Sequence, residues 1–395
     1  MNKKYDIVII GAGIVGAATA FKLSHKNGLR VAVIDKEPEP GVHQTGRNSG
    51  VIHSGVYYPK GSLKSQNCIN GYKQLISFLK ENQLPYKITG KLIAAANNDE
   101  LVELERLFKN AKEVGLNVRY VSEKEIKSID TNLSVERAFL VEETGITDYK
   151  EVLKKFIELS EARGVEYFFS SQIKKVSSID GKSVLDIGTS EIIASTLVNC
   201  AGLQSDRVYE ICTGKRCPVR IIPFKGEYFH IPRGDYSSDI PIYPVPNPEF
   251  PFLGIHLTRM IDGSLNVGPN AILAFDREGY NRYNFNLKDF IKIVSDATMF
   301  NILKKYGKTV VKELLKAGNK IYFEKNVRKY FKNFSKTRIT GYSSGIRAQA
   351  TENGSLLSDF RIETFQNQVH ILNAPSPAAT SCLAIADEII KLLKT

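Results

Sequence analysis

The run His43-Gln44-Thr45-Gly46-Arg47-Asn48-Ser49-Gly50-Val51-Ile52-His53-Ser54-Gly55-Val56-Tyr57-Tyr58 gathers imidazoles, small hydroxyls, an amide and glycines. It follows closely on Gly11-Ala12-Gly13-Ile14-Val15-Gly16, which fits the pattern Gly-x-Gly-x-x-Gly. In that pattern the first glycine makes a tight turn, the second lets phosphates approach bare backbone, and the third lets a helix pack on a strand. A unit of this kind holds the ADP half of a dinucleotide, and a polar, glycine-rich run beside it can follow a redox-active ring. The pairing points to flavin chemistry.

Such chemistry needs elements that hold the two runs in place. Tyr5 to Ile10 is a short β-branched run suited to a buried parallel strand, and the helix after it turns its free N–H groups toward the pyrophosphate. A second strand, Arg30 to Ile34, ends at Asp35, about 20 residues past the last glycine, where an acid for the ribose hydroxyls is expected. A lone glycine pattern is a frequent accident of loops. Strand, helix, second strand and acid in register make this one a dinucleotide unit. Lys3 and Lys4 before an apolar stretch resemble a secretory leader, but Asp6 and the glycines interrupt it and no small-residue cleavage site follows, so it reads as mature structure.

With 395 residues and 43% hydrophobic content the chain can build two ordinary cores, and no apolar segment approaches the roughly 20 residues of a membrane span. Cys68, Cys200, Cys212, Cys217 and Cys382 are odd in number and lack metal-ligand spacing, so reduced thiols, a cytoplasmic location and no bound metal are expected. The net charge of +12 favours anionic partners. Lys304, Lys305, Lys308, Lys312, Lys316 and Lys320 recur at helical spacing, with Ile302, Leu303, Val310, Val311, Leu314 and Leu315 available to face inward. That pattern is read as a solvated helix face or as peripheral attachment to the inner face of an anionic membrane; without a recognition motif, nucleic acid is not expected. Helices are expected at Asn67 to Glu81, Asp99 to Val114 and Lys150 to Arg163, and strands at Gly90 to Ala96, Glu166 to Val176, Thr196 to Cys200 and Val369 to Leu372. A last helix is expected from Pro377, capped by Ser376.

Further strings extend the pattern over essentially the whole chain: Pro223-Phe224-Lys225-Gly226-Glu227-Tyr228-Phe229, Ile242-Tyr243-Pro244-Val245-Pro246, Phe252 to Ser264, Gly268-Pro269-Asn270-Ala271, Gly345-Ile346-Arg347-Ala348-Gln349-Ala350 and Asn373 to Ser381. With the two N-terminal runs they resemble the FAD-dependent oxidoreductases of the D-amino-acid oxidase and glycerol-3-phosphate oxidase superfamily, most closely its bacterial L-2-hydroxyglutarate dehydrogenase (oxidase) branch. Arg47, where relatives often carry His, and Lys225, where they often carry Arg, depart from the pattern.

The resemblance implies an α/β fold in which a discontinuous Rossmann-like FAD-binding domain (residues 1–80, 145–215 and 336–395) carries an inserted, sheet-containing substrate domain (81–144 and 216–335). It implies oxidation of L-2-hydroxyglutarate to 2-oxoglutarate by hydride transfer to flavin N5, with quinone or oxygen as acceptor. His53 is then the catalytic base, since an imidazole titrates near neutrality. Arg347 binds the substrate carboxylate as a planar fork. Arg259 and Lys225 are candidates for the distal carboxylate, Tyr228 and Tyr58 for hydroxyl donors, and His256 for a further substrate contact. The expected FAD contacts are Gly11, Gly13, Gly16, Asp35, Lys36, Thr45, Asn48, Ser49, Gly50, Ile173, Gly202 and the helix opening Pro377, Ala378, Ala379 and Thr380. Two rival readings are a glycerol-3-phosphate or amino-acid oxidase, and a flavin-bearing docking module without turnover.

Overall fold

The computed structural model describes residues 3–393 except 189, 233–235, 237, 247–253, 282, 298, 302–303, 305–318 and 336–338. The lysine-rich helical face expected between residues 304 and 320 therefore lies largely outside the described residues, as does the start of the Phe252 to Ser264 string.

The first sheet grows from two short parallel strands, β1 (Lys3–Ile10) and β2 (Val31–Ile34), registered Ile7 to Val31 through Ile10 to Ile34. Their side chains alternate between two cores. Ile7, Ile9, Val31 and Val33 pack with helix α1 (Ile14–Leu23) and the last helix, Cys382–Leu392, whereas Val8, Ile10, Ala32 and Ile34 pack with Leu185, Ile192 and Cys212. A sheet covered on both faces explains why these strands are continuously apolar. The strand order is Lys175–Ile179, Lys182–Asp186, Glu191–Asn199, β1, β2 and Glu166–Phe168, with Gln368–Asn373 also pairing with Glu191–Asn199 and Arg361–Phe365 beyond it.

A second, mostly antiparallel sheet runs Ser355–Leu356, Gly341–Glu352, Arg220–Ile231, Leu265–Gly268, His256–Arg259, Ile242–Pro244, Lys91–Ala95, Arg137–Val141 and Val118–Tyr120. Its long central pair is in continuous register from Arg220–Thr351 to His230–Gly341. A third, small sheet of Val51–Ile52, Gly145–Thr147 and Tyr86–Ile88 fixes the backbone immediately before His53.

Several expected boundaries move. Sheet membership changes between Ser355–Leu356 and Arg361–Phe365, not at residue 336, because Gly341–Glu352 pairs along its length with Arg220–Ile231. The single strand expected over Glu166 to Val176 is two, since Ser170 takes φ +51° and the N–H groups of Ser170 and Ser171 bond to the carbonyls of Glu37 and Asp35. The helix expected from Asn67 begins at Leu63, capped by Ser62, whose side chain accepts from the Ser65 N–H. The final helix begins at Cys382 rather than Pro377. Residues 376–381 form turns, with Ala378 N–H bonded to the Pro375 carbonyl and Ser381 N–H to that of Pro377. All five cysteines are free, and no helix among the described residues is long and apolar enough to cross a membrane.

Candidate active site

One cavity of about 1370 Å³ reaches from the glycine loop to the second sheet. Drug-sized ligands occupy roughly 300–1,000 Å³, so this space suits a dinucleotide with a substrate beside it. Gly11, Gly13, Asp35, Lys36, Ile173 and Gly202 line its dinucleotide side, and His53, Tyr58, Tyr228, His256 and Arg347 its redox side.

The glycines fit that occupant. Gly11 takes φ +107°, and a Cβ there would lie 2.6 Å from the Cys200 carbonyl oxygen. At Gly16 a Cβ would lie 1.9 Å from the Gly11 oxygen, so this glycine closes the helix on the strand beneath the cavity rather than lining it. Asp35 accepts from the Ala12 N–H at 2.7 Å and the Glu37 N–H at 2.9 Å, tying the glycine loop to the end of β2.

Other expected cofactor residues spend their polar atoms within the protein. Thr45 lines the cavity, but its hydroxyl accepts from the Ile14 N–H at 3.0 Å and so caps α1, where Gly13 offers no side chain. Asn48 donates to the carbonyls of Gln44 and Thr45 and accepts from the Gly50 N–H, which folds its own loop. Gly50 takes φ +66° and lies off the cavity, while Ser49 lines it. Lys36 reaches Glu37, Glu278 at 2.9 Å and His43 Nε2 at 3.2 Å. Glu37, His43 and Glu278 are near enough for a metal, but the ammonium of Lys36 stands among them. Pro377, Ala378 and Ala379 line the cavity; Thr380 is buried behind them, accepting from the His53 N–H at 3.0 Å and paired with the Tyr149 hydroxyl at 2.8 Å. With the helix starting only at Cys382, a helix N-terminus at Pro377 is not available to the flavin.

His53 is held at both backbone ends, by Thr380 and by the Cys68 thiol, which donates to its carbonyl. Its Nε2 lies 3.5 Å from the Ser376 hydroxyl. Burial, with the charges of Lys91, Lys64 and Arg347, pushes its pKa down to about 3, so the imidazole is unprotonated near pH 7. His256, stacked on Tyr243 with centroids 4.0 Å apart, is held well below its usual range by burial and then by Arg347, His53 and Lys91. Arg347 donates to the Tyr228 hydroxyl oxygen, and Tyr58 bonds Ser376.

Two expected substrate contacts are corrected. Lys225 alternates to the opposite side of its strand from the cavity-lining Gly226 and Tyr228, and donates to the Asn281 carbonyl at 2.7 Å. Arg259 donates to the carbonyls of Ser238, Gly263 and Tyr236 and pairs with Asp239. Neither lines the cavity. Tyr57, Tyr243 and Lys64 line it unforeseen; the tyrosines stand within strings already singled out, but Lys64 carries no sequence signal beyond its charge. Arg47 packs 3.8 Å over the Tyr280 ring and bonds two carbonyls, latching the flavin-side loop to the second sheet.

Residues 6–392 match the family model for FAD dependent oxidoreductases. The chain belongs to this family. Among curated relatives it is 40% identical over 385 residues to an L-2-hydroxyglutarate dehydrogenase of Indibacter alkaliphilus, covering 96% of each chain. It is 36% identical over 397 residues to the L-2-hydroxyglutarate dehydrogenase of Escherichia coli K12, covering 99% of this chain and 93% of the other. The fold of this FAD-dependent oxidoreductase is shared with an L-alpha-glycerophosphate oxidase from Mycoplasma pneumoniae at TM-score 0.82 and 19% identity, over 100% and 95% of the two chains. It is shared too with a glycine oxidase from Geobacillus kaustophilus at TM-score 0.77 and 15% identity, over 100% and 96%. At those identities the likeness concerns the fold alone.

Proposed function

We propose that the chain oxidises L-2-hydroxyglutarate to 2-oxoglutarate. The observation that carries this reading is a neutral, cavity-facing His53 in one pocket with Arg347, in a chain 36–40% identical over nearly its whole length to enzymes named for that substrate. FAD, when bound, would supply the hydride acceptor for oxidation at C2. Gly11, Gly13, Asp35, Ile173 and Gly202 would hold its dinucleotide portion, and Ser49 with Pro377 to Ala379 would border its ring. Arg347, in contact with Tyr228, holds the carboxylate beside C2; Tyr58 and His256 confine the substrate; His53 takes the hydroxyl proton. Lys64, with its Nζ 3.0 Å from the Ser358 carbonyl, replaces Arg259 and Lys225 as the cation facing the distal carboxylate.

Anaerobic mixing of the holoenzyme with both enantiomers of 2-hydroxyglutarate, other 2-hydroxy acids, glycerol 3-phosphate and amino acids tests this. Only the L enantiomer of 2-hydroxyglutarate should bleach the flavin rapidly and yield 2-oxoglutarate. Faster bleaching by glycerol 3-phosphate or an amino acid would transfer the chain to a different substrate class.

A specific surface feature supports electron delivery to a membrane quinone. Helix Leu287–Val294 turns Asp289 and Ile293 inward and leaves Leu287, Ile291 and Val294 exposed, with Tyr283, Phe285 and Phe300 exposed nearby and Lys288 and Lys292 between them. Apolar residues interleaved with lysines suit the surface of an anionic bilayer. Cosedimentation with anionic vesicles is expected at low salt and loss of it at high salt, because surface charge attraction is screened within about 10 Å at 0.1 M. Equal recovery in the supernatant under all conditions would favour oxygen as acceptor.

A further inference from the structure

Lys91 opens the strand Lys91–Ala95 and is 0% exposed. Its ammonium has no hydrogen-bond partner among the described residues. What faces it is aromatic: the nitrogen lies 4.6 Å from the ring centroid of Tyr57 and 4.9 Å from that of Tyr243. Both tyrosines line the cavity while Lys91 does not, so the charge stands one layer of rings away from it.

An ammonium taken out of water without an anion or a carbonyl destabilises a fold, and ring faces compensate only in part. A methionine would fill the space without that penalty. Groups that weaken a fold in this way concentrate where they act on a ligand. The neighbours supply no compensating negative charge near neutrality. Burial raises Cys68 to about 12, Tyr57 and Tyr243 are raised above their usual range, and His53 and His256 are held neutral.

We propose that Lys91 is a specificity-determining positioning residue: acting through Tyr57 and Tyr243, its charge makes the cavity selective for a doubly negative ligand. The inference deepens the proposed dicarboxylate chemistry and rests on it. Arg347 serves one carboxylate, and with Lys225 and Arg259 committed elsewhere the second meets the fields of Lys64 and Lys91. Burial lowers Lys91 to about 7, so its contribution fades as pH rises through neutrality; Lys64, lowered to about 8, also chiefly by burial, fades higher.

The test compares the parent holoenzyme with Lys91→Met and Lys91→Arg by flavin-spectral titration with glutarate, an unreactive dicarboxylate, and pentanoate, its monocarboxylate counterpart. Thermal unfolding is followed in parallel. Lys91→Met is expected to weaken glutarate roughly tenfold at pH 6, the equivalent of about one pKa unit, to leave pentanoate nearly unchanged, and to unfold at a higher temperature. In the parent the preference for glutarate should decline as pH rises through about 7. Lys91→Met should lack the part of that decline centred near 7, leaving only the later loss due to Lys64, and Lys91→Arg should hold more of the preference than the parent above pH 7, since a guanidinium stays charged. Because Lys64 is common to all three proteins, the differences isolate Lys91. A Lys91→Met protein that keeps the parental preference and its pH dependence overturns the proposal, whatever its melting temperature. No turnover is required, so failure of L-2-hydroxyglutarate to reduce the parent would refute the substrate assignment separately.

Discussion

His53→Ala is expected to slow flavin reduction by roughly 10²–10⁴-fold while changing substrate affinity far less, the usual loss when a positioned base is removed. The backbone at His53 is held by the Thr380 hydroxyl and the Cys68 thiol, neither of which needs the imidazole, so the alanine variant keeps the loop and loses the base. Anaerobic single-turnover measurements separate the two effects, because the substrate dependence of the reduction rate reports binding and its plateau reports chemistry. A variant that reduces at the parental rate would remove His53 from the proton transfer.

The same residue fixes the expected pH dependence. An imidazole accepts a proton only above its own pKa, and that of His53 is held down to about 3 by burial and by the charges of Lys91, Lys64 and Arg347. Values of kcat/KM report the free enzyme, so protonation of His53 should impose no acid limb on them as pH falls from about 8 to about 5, and any change over that range should be a rise as Lys64 and Lys91 gain charge. A bound dianion opposes those cationic charges and raises the pKa, so any acid limb must sit higher in kcat than in kcat/KM. An acid limb in kcat/KM centred near 6.5 would place the base in a solvated environment unlike the one His53 occupies.

The dinucleotide unit was legible because its signal is local: turn, close approach and helix packing each demand a glycine at a fixed offset, and Asp35 ends a strand that pairs with the first. Arg347 and Tyr228 could be named from the strings that resemble the family. What misled was side-chain direction. Along Arg220–Ile231 the period of two puts Lys225 on the face opposite Gly226 and Tyr228, a distinction already present in the spacing. Asn48 lines the cavity as expected of a cofactor contact, although, as an Asn in a tight loop readily does, it also bonds its own backbone. Ser376-Pro377 carries the signature of a helix start, but the chain turns through residues 376–381 before a helix forms at Cys382. Lys91 was the least legible. A lysine at the head of Lys91-Leu92-Ile93-Ala94-Ala95 looks like a solvated strand end, and only the nonlocal approach of Tyr57 and Tyr243 buries it.

Among the described residues, a buried guanidinium makes the most fully buried charged contact between the glycine-loop side of the cavity and the chain around the second sheet, and its loss is expected to be the largest effect on stability. Arg277 donates to both carboxylate oxygens of Asp206, at 2.6 and 2.9 Å, and to the carbonyls of Leu203 and Ile221, each at 2.8 Å. Arg277 is 3% exposed and Asp206 2%. Burial alone would raise the Asp206 carboxyl, but the bidentate Arg277 outweighs it and holds the group below its usual range. Arg277→Met fills the space while leaving that carboxylate buried without its main partner, a change that typically destabilises by about 3–5 kcal/mol. Arg207 also acts on Asp206, which places the expected loss toward the lower end of that range. Since Gly202, Leu203 and Gln204 line the cavity, FAD retention should weaken along with stability. The sign of the pH effect is distinctive. In the parent, the depressed Asp206 pKa contributes stability above the unfolded value of about 3.9, and this is lost as pH falls through the folded value. In Arg277→Met burial raises that pKa, so the penalty is full at neutral pH and shrinks as acid protonates the carboxyl. Urea unfolding at pH 7 and near pH 4, with the double variant Asp206→Asn/Arg277→Met alongside, measures both. A single variant as stable as the parent at pH 7, or a double variant that recovers nothing, would show that the contact is not what joins the two sides of the cavity.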